Sequence, residues 1–331
     1  MILPPFTLHE PKTVDEAVAL KTKFGKDADF VAGGTDLLCN YKYEINAKPH
    51  VISLGTVTEL KSFDTTRIGA GALLDDVMTD SGMRRDLPVI PAAIGVISSH
   101  LLRQTGTVGG NLMVDTRCFW FNQSKFWRDS ISGCLKSEGD ACRVVWGAKE
   151  CVAVYSGDLA PVLITLGASV TIAGPKGRRV VPLGEFYEHD GIKRHVLGEG
   201  ELLVEIRIPT EARTWKASYR KLRTRESFDF PVLGVAVAAK VDGDLLLDAH
   251  VNLGAVHTTP LSRDGAISQF IGKRIDEATA SEIGEAVADG LVIHNNTAMT
   301  PAYRRKMVAV FTKRCFLDVT GKRAVAETAS R

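Results

Sequence analysis

The chain has 331 residues, of which 45% are apolar, and its lysines and arginines exceed its acidic residues by only two (41 against 39). This length and composition predict two or three domains with apolar cores, and there is no excess of charge to indicate a nucleic-acid or membrane-surface partner. The opening residues lack a signal-peptide pattern and no run of about 18 apolar residues occurs, so we expect a cytoplasmic protein.

The first part of the chain follows the order helix, strand, glycine turn. Apolar spacing predicts a helix over Val14–Phe24 that Gly25 ends, and short apolar runs predict strands at 30–32, 51–54 and 67–72. The first of these strands leads directly into the turn Gly33-Gly34-Thr35-Asp36. This order indicates an α/β arrangement.

A helix is predicted over 91–102, and a second glycine-rich turn, Thr107-Val108-Gly109-Gly110-Asn111, follows it. Glycine lets the main chain approach a phosphate closely, and free amides in such turns can form an anion-binding concavity. A pyrophosphate could therefore sit between the two turns, although tight turns of purely structural purpose are more common. The sequence has no G-x-G-x-x-G fingerprint and no P-loop motif, so it supports neither a Rossmann site nor a P-loop.

From Met113 to about Val152 the periodicity stops, and this stretch holds four of the six cysteines and three of the four tryptophans. A linker would be polar and poor in tryptophan, so we predict an insertion within a domain. The clustered cysteines are Cys118, Cys134, Cys142 and Cys151. In a reducing compartment they indicate a metal site, and four thiolates converging on one point suit a zinc ion or an iron–sulfur cluster. The separate Cys39 and Cys315 are expected to be buried apolar side chains.

Regular patterns return after the insertion. A helix is predicted to begin at Asp158, and a strand over 169–173 ends in the turn Gly174-Pro175-Lys176-Gly177. Beyond Pro209 the patterns predict strands at 218–224, 232–241 and 245–256, with a hairpin turn at 242–244, and helices at 276–291 and 301–319. We therefore expect a C-terminal domain in which helices cover a three-stranded sheet.

Several segments, taken in this order, resemble the FAD-binding subunit of the molybdenum hydroxylase family, which includes xanthine dehydrogenase and carbon monoxide dehydrogenase. They are Phe30-Val31-Ala32-Gly33-Gly34-Thr35-Asp36-Leu37-Leu38, Thr107-Val108-Gly109-Gly110-Asn111-Leu112, Asp158-Leu159-Ala160-Pro161 and Tyr219-Arg220-Lys221. The resemblance covers nearly the whole chain. It implies an α+β protein with a FAD-binding fold of the vanillyl-alcohol-oxidase (PCMH) type in two α/β subdomains, 1–55 and 56–212. The insertion at about 113–152 lies in the second, and a C-terminal domain with an antiparallel sheet and helices follows at 213–331.

The resemblance also implies a site for FAD. The segment 30–37 and the segment 107–111 would surround the pyrophosphate, and Asp158 would bind the sugar-alcohol part of the flavin. Leu203 and Lys221 would lie near the isoalloxazine ring and its flanking loop. Without the resemblance we would expect a core leucine and a solvated strand lysine at these two positions.

The insertion is similar to one in the flavin subunit of 4-hydroxybenzoyl-CoA reductase, a member of the family that carries an extra [4Fe–4S] cluster there. The similar stretches include Asp115-Thr116-Arg117-Cys118, Trp127-Arg128 and Cys134-Leu135-Lys136. The gaps between the cysteines are 15, 7 and 8 residues, no C-x-x-C pair occurs and no histidine lies between His100 and His189, which disfavours a zinc site. Aromatic residues could form an apolar shell around a cluster; those in the insertion are Phe119, Trp120, Phe121, Phe126, Trp127 and Trp146.

Three functions follow as hypotheses. The first is a FAD and [4Fe–4S] electron-transfer subunit of a 4-hydroxybenzoyl-CoA reductase-like enzyme, which receives electrons from ferredoxin and passes them to partner subunits with [2Fe–2S] centres and a molybdenum cofactor. The second is the FAD subunit of a molybdenum hydroxylase or dehydrogenase that passes electrons outward from another substrate. The third is a zinc-stapled scaffold protein without redox function. No acid/base pair or nucleophile stands out, as expected for an electron-transfer subunit.

Overall fold

The computed structural model describes residues 2–322, in which helices pack on three sheets. The strands are β1 (Thr7–His9), β2 (Ala28–Val31), β3 (His50–Ser53), β4 (Arg67–Gly69), β5 (Ser169–Gly174), β6 (Gly177–Pro182), β7 (Leu202–Arg207), β8 (Lys216–Leu222), β9 (Leu233–Asp242), β10 (Leu245–Gly254) and β11 (Leu261–Ser262). The α-helices are α1 (Val14–Phe24), α2 (Leu37–Lys42), α3 (Leu74–Thr79), α4 (Ser81–Asp86), α5 (Val89–Gly95), α6 (His100–Arg103), α7 (Val108–Leu112), α8 (Lys125–Ser130), α9 (Leu159–Thr165), α10 (Asp264–Ile267), α11 (Glu277–Ala288) and α12 (Pro301–Val319).

The N-terminal sheet is parallel and has the order β1-β3-β2. Helix α1 has the predicted bounds, because Thr13 accepts a hydrogen bond from the Glu16 amide at its start and Gly25, with φ of 51°, ends it. Such a cap contributes about 1 kcal/mol. Strand β2 begins earlier than predicted, at Ala28, and its end delivers the chain to the first glycine-rich turn.

The second sheet is antiparallel and has the order β4-β7-β5-β6. The sequence patterns missed β7, which lies between β4 and β5 and carries Leu203. The third sheet, β11-β10-β9-β8, is also antiparallel, and it contains β11 in addition to the strands that the sequence predicted. Helix α9 packs on both β9 and β10, and helix α12 packs on the β8–β9 side.

The predicted helix over 91–102 is wrong as a single element, since α5 ends at Gly95 and α6 begins at His100. Between them Ser98 adopts a positive φ of 49°. The Ser99 side chain then accepts a hydrogen bond from the Leu102 amide and starts the new helix. Serine side chains commonly interrupt and cap helices in this way, and an apolar period does not report it.

The insertion is irregular, as predicted, apart from the short helix α8. Of the two cysteines outside it, Cys315 is fully buried as expected, but Cys39 is exposed, so its predicted burial is wrong. Throughout residues 2–322, no helix combines the length and apolar character needed to cross a membrane.

Candidate functional site

The first glycine-rich turn, residues 33–36, rests against the chain that leads into α7. A Cβ atom on Gly33 would lie 2.0 Å from the carbonyl oxygen of Thr105, and Gly34 has φ of 68°, so both positions favour glycine. Within the described part of the chain, the amides of Gly33, Gly34 and Thr35 donate no backbone hydrogen bond. Free amides on a tight turn form an anion-binding concavity, so this turn fits a phosphate group.

The segment 107–111 is not a turn, and that prediction is wrong. Thr107 caps helix α7 by accepting a hydrogen bond from the Gly110 amide at 3.0 Å, and the Gly109 amide donates to Ala70 at 2.8 Å. A Cβ atom on Gly109 would lie 2.6 Å from that of Ala70. Glycine is therefore needed here for packing, and the segment offers a close surface beside the first turn instead of a second set of free amides.

Asp158 lies at the start of α9 and is tied to the second glycine segment, because the Asn111 side chain accepts a hydrogen bond from the Leu159 amide at 3.0 Å. Its own carboxylate accepts hydrogen bonds from the Tyr219 hydroxyl at 2.8 Å and from Lys221 Nζ at 3.0 Å. Burial raises the pKa of Asp158, while Lys221 and Tyr219 act against that shift. A carboxylate has about four lone-pair sites, so Asp158 keeps acceptor capacity, but its side chain is 3% exposed and a ligand hydroxyl group reaches it only when neighbouring side chains move.

Leu203 and Lys221, the other two residues predicted to lie near the flavin, have different surroundings. Leu203 is 3% exposed and packs in the apolar core, as a leucine on a central strand would. The Lys221 side chain is 2% exposed, so the alternative of a solvated strand lysine is wrong. It reaches across to the Val96 carbonyl oxygen at 3.0 Å as well as to Asp158, which links the third sheet to the loop after α5.

The four cysteines of the insertion line one small cavity. Among residues 2–322, however, no group of three or more histidine, cysteine or acidic side chains is placed to hold a single metal ion, so the thiols do not converge on one point. A tetrahedral zinc ion with Zn–S bonds of about 2.3 Å needs thiolates about 3.8 Å apart. An iron–sulfur cluster is larger than one ion and holds its thiolates further apart. Four cysteine thiols are a donor set that both kinds of group use, so the residue types that line the cavity suit either one.

Two backbone amides are directed at one of these thiols, and burial raises the pKa of two others. The amides of Val144 and Val145 both lie 3.4 Å from Cys142 Sγ. Burial raises the pKa of the Cys118 thiol to about 11, against the effect of the Trp120 amide, and raises the pKa of Cys151 against the effect of the Ala153 amide. Hydrogen bonds to the sulfur atoms are among the factors that set the reduction potential of an iron–sulfur cluster.

The predicted aromatic shell is only partly correct. Trp120 and Phe121 line the cavity, and Phe121 is almost fully buried. In contrast, Phe126 and Trp146 are 85% and 97% exposed, and Phe119 is half exposed. Periodicity is absent from this segment, so the sequence carried no signal that separates its inward from its outward aromatic residues.

An ion pair connects the cavity to the first glycine-rich turn. Arg117, which precedes Cys118, is paired with Asp36 of that turn, and its guanidinium lies 4.0 Å from the centre of the Phe230 ring. The backbone of Arg117 is held by two hydrogen bonds to Val154, at 2.7 and 2.8 Å. The sequence placed both residues in motifs, but their separation of 81 residues concealed the contact.

We expect the substitution Arg117→Met to destabilise the fold by about 1–3 kcal/mol, because it leaves a partly buried Asp36 without its partner. Urea unfolding followed by fluorescence measures the change. The matched control is Arg178→Met, which breaks an ion pair with Glu59 in which the two side chains are 47% and 45% exposed and which should leave the midpoint nearly unchanged. Equal midpoints for the two variants would show that the Arg117 pair contributes nothing.

Asn296, which the sequence analysis did not single out, holds two of the segments that carry cavity cysteines. Its side-chain amide donates to the Val152 carbonyl oxygen at 2.6 Å, and its backbone carbonyl oxygen accepts from the Phe119 amide at 2.8 Å. Val152 and Phe119 each adjoin a cavity cysteine, and Asn296 is fully buried. The loop after α11 therefore helps to position the cavity.

Two family models match the chain. The model described as the FAD binding domain in molybdopterin dehydrogenase matches residues 4–211, and that of the CO dehydrogenase flavoprotein C-terminal domain matches residues 217–319. Together they span both the glycine segments and the third sheet.

Individual proteins with related names are similar to this chain over most of its length. The carbon monoxide dehydrogenase medium chain of Hydrogenophaga pseudoflava is 29% identical over 88% of each chain, and the aldehyde oxidoreductase FAD-binding subunit PaoB of Escherichia coli (strain K12) is 33% identical over 80% of this chain and 86% of its own. A solved carbon monoxide dehydrogenase from Hydrogenophaga pseudoflava, lacking the Mo-pyranopterin moiety, superposes with a TM-score of 0.80 at 25% identity, over 98% of this chain and 100% of that one.

Proposed function

The chain belongs to the FAD-binding medium subunits of the molybdenum hydroxylase family, and on this premise we propose that it is an electron-transfer subunit carrying both FAD and a [4Fe–4S] cluster. When bound, these groups supply electron transfer between one-electron and two-electron partners. We further propose that the chain works beside a molybdenum-cofactor subunit and a [2Fe–2S] subunit, since its relatives are named as medium chains or FAD-binding subunits of larger enzymes.

The proposed FAD site consists of the first glycine-rich turn, the segment 107–111 and Asp158 at the start of α9. The free amides of Gly33, Gly34 and Thr35 would bind a phosphate, with the segment 107–111 closing against them. Asp158 would accept hydrogen bonds from the sugar-alcohol chain while Lys221 holds its carboxylate in place. Leu203 would contribute only apolar packing beside the ring.

The observation that carries the cluster proposal is the placement of all four insertion cysteines around one cavity. Their thiols do not converge as a zinc site requires, and the amides of Val144 and Val145 each lie 3.4 Å from Cys142 Sγ. Cationic side chains also belong to the cavity, since both Lys136 and Arg143 line it. A thiolate-ligated cluster carries net negative charge, so a cationic wall is complementary to it.

For the reaction, we propose a 4-hydroxybenzoyl-CoA reductase-like enzyme in which ferredoxin supplies electrons through this chain. The cysteine insertion supports that direction, because an additional low-potential entry site is useful where electrons arrive from outside. The competing proposal is a dehydrogenase whose electrons leave through this chain. Two relatives are named as subunits of a carbon monoxide dehydrogenase and of an aldehyde oxidoreductase, and these names favour the competing proposal. In both cases the substrate reacts on a partner subunit.

Purification under argon tests the cofactor content. We expect flavin absorption over a broad iron–sulfur absorption that dithionite bleaches, together with iron and acid-labile sulfide in the amount of one cluster for each FAD. A protein with FAD and no iron would eliminate the cluster and leave the family assignment intact. A colourless protein containing zinc would instead support the scaffold alternative.

The direction of electron flow needs the assembled enzyme. Stopped-flow mixing of the oxidised complex with reduced ferredoxin, and separately with an aldehyde, shows which partner reduces the flavin. Mixing the reduced complex with an aromatic CoA thioester then shows whether the thioester reoxidises it. Rapid reduction by ferredoxin, with reoxidation by an aromatic CoA thioester, is the expected result. Rapid reduction by an organic substrate would favour the outward direction.

A further inference from the structure

Lys136 is a buried cation on the wall of the cysteine cavity. Its side chain is only 4% exposed, and it lines the cavity together with the four cysteines. Moving an ammonium group out of water is unfavourable unless other charges compensate, and a methionine of similar length would avoid the cost. The presence of lysine at this position therefore needs an electrostatic explanation.

The protein partners of Lys136 compensate its charge only in part. Its ammonium donates to Asp115 Oδ1 at 2.7 Å and to Thr116 Oγ1 at 2.5 Å, and it lies 4.7 Å from the centre of the Phe121 ring. Arg194 donates to the same oxygen of Asp115 at 2.9 Å. Two cations thus share one carboxylate, so the group of Lys136, Arg194 and Asp115 carries one net positive charge.

Two arginines around the cavity, Arg143 and Arg128, bind backbone carbonyl oxygens. Arg143 donates to the carbonyl oxygens of Gly133 and Ile131, at 2.9 and 2.6 Å, and so closes the loop that carries Cys134. Arg128 is bound in the same way to the Glu44 carbonyl oxygen at 2.9 Å. These arginines hold the main chain, whereas Lys136 is directed into a carboxylate and hydroxyl pair next to the cavity.

We propose that Lys136, with Asp115 as its partner, sets the reduction potential of the [4Fe–4S] cluster; this inference rests on the proposed function. Uptake of one electron from the donor makes the cluster and its thiolates more negative by one charge. A fixed positive charge in a poorly solvated site stabilises that reduced form, and net local charge is one of the factors that determine cluster potentials. Lys136 therefore favours acceptance of the electron.

The test is a redox titration of the anaerobic protein followed by EPR. Replacement of Lys136 by methionine should make the midpoint more negative by at least about 59 mV, which is a tenfold change in a one-electron equilibrium constant. Asp115→Asn should shift it in the opposite direction, because the cations lose their counter-charge. The control Lys125→Met removes a lysine of the same insertion that is 47% exposed and should leave the midpoint unchanged.

A Lys136→Met midpoint equal to that of Lys125→Met would overturn the proposal. If Lys136→Met fails to retain iron, Asp115→Asn decides the question, since a positive shift supports the proposal and no shift contradicts it. Loss of the cluster from Lys136→Met, Lys136→Arg and Asp115→Asn alike would assign this group a structural role only. Wild-type protein without an iron signal would refute the proposed cofactor itself and is distinguishable from all of these results.

Discussion

Replacing Cys134 by serine is expected to remove most of the bound iron and to slow electron delivery from reduced ferredoxin to FAD by at least about tenfold, or ~1.4 kcal/mol in barrier. Cys134 is 8% exposed and lines the cavity with the other three cysteines. Serine is a harder ligand than cysteine and does not replace a soft thiolate in holding iron–sulfur clusters. Iron analysis and stopped-flow absorption measure the two effects.

The flavin should stay bound in this variant, because Cys134 has no contact with the glycine segments or with Asp158 among the contacts of the described residues. Cys39→Ser is the matched control, since Cys39 is exposed and lies outside the cavity. Cys39→Ser should retain iron and should deliver electrons from ferredoxin to FAD at the wild-type rate. Unchanged delivery in Cys134→Ser, despite loss of iron, would mean that any cluster here is structural.

The second large effect is expected for Gly33→Ala, which should weaken FAD binding and destabilise the fold. The new Cβ atom would lie 2.0 Å from the Thr105 carbonyl oxygen and 2.9 Å from Gly106 Cα, so the first glycine-rich turn must move away from the segment before α7. Overpacking of this kind costs about 1–3 kcal/mol. A loss of the same 1–3 kcal/mol from the binding free energy of FAD corresponds to about a 5- to 150-fold increase in the Kd.

Fluorescence titration of the flavin-free protein measures that constant, and urea unfolding measures the stability. The matched control is Gly55→Ala, where the nearest atom to the added Cβ is Ser53 Oγ at 3.6 Å, an ordinary contact. This control should leave FAD affinity unchanged. If Gly33→Ala binds FAD as tightly as Gly55→Ala does, the first turn is not part of the flavin site.

Elements with strong local signals were predictable from the sequence. Helices α1 and α12 have the predicted bounds, and Thr13 and Thr300 cap them through side-chain hydrogen bonds to nearby amides. A cap and an apolar period are both properties of adjacent residues, so the sequence displays them directly. The hairpin between β9 and β10 is also local, with Gly243 at a φ of 59° in the turn.

Elements and side chains whose structure depends on contacts with distant parts of the same chain were missed or predicted wrongly. The segment 107–111 looks like a turn because of its glycines, yet it is helical and its Gly109 is required by contact with Ala70 on another element. Lys221 looks like a solvated strand residue, yet it is buried against Asp158. Strand β7 was missed although Gly198 and Gly200 precede it and Pro209 follows it, and its pairing with β4 and β5 makes it a central strand.

By itself the sequence determined the family-like order of motifs, the type of donor atoms in the insertion and the best capped helices. Only the tertiary structure decided that the four cysteines surround one cavity without converging, and that Arg117 reaches Asp36 and Arg194 shares Asp115 with Lys136. The physical reason is the range of the interactions. Residue type and short-range periodicity are written along the chain, but contacts across tens of residues depend on the path that the folded chain takes.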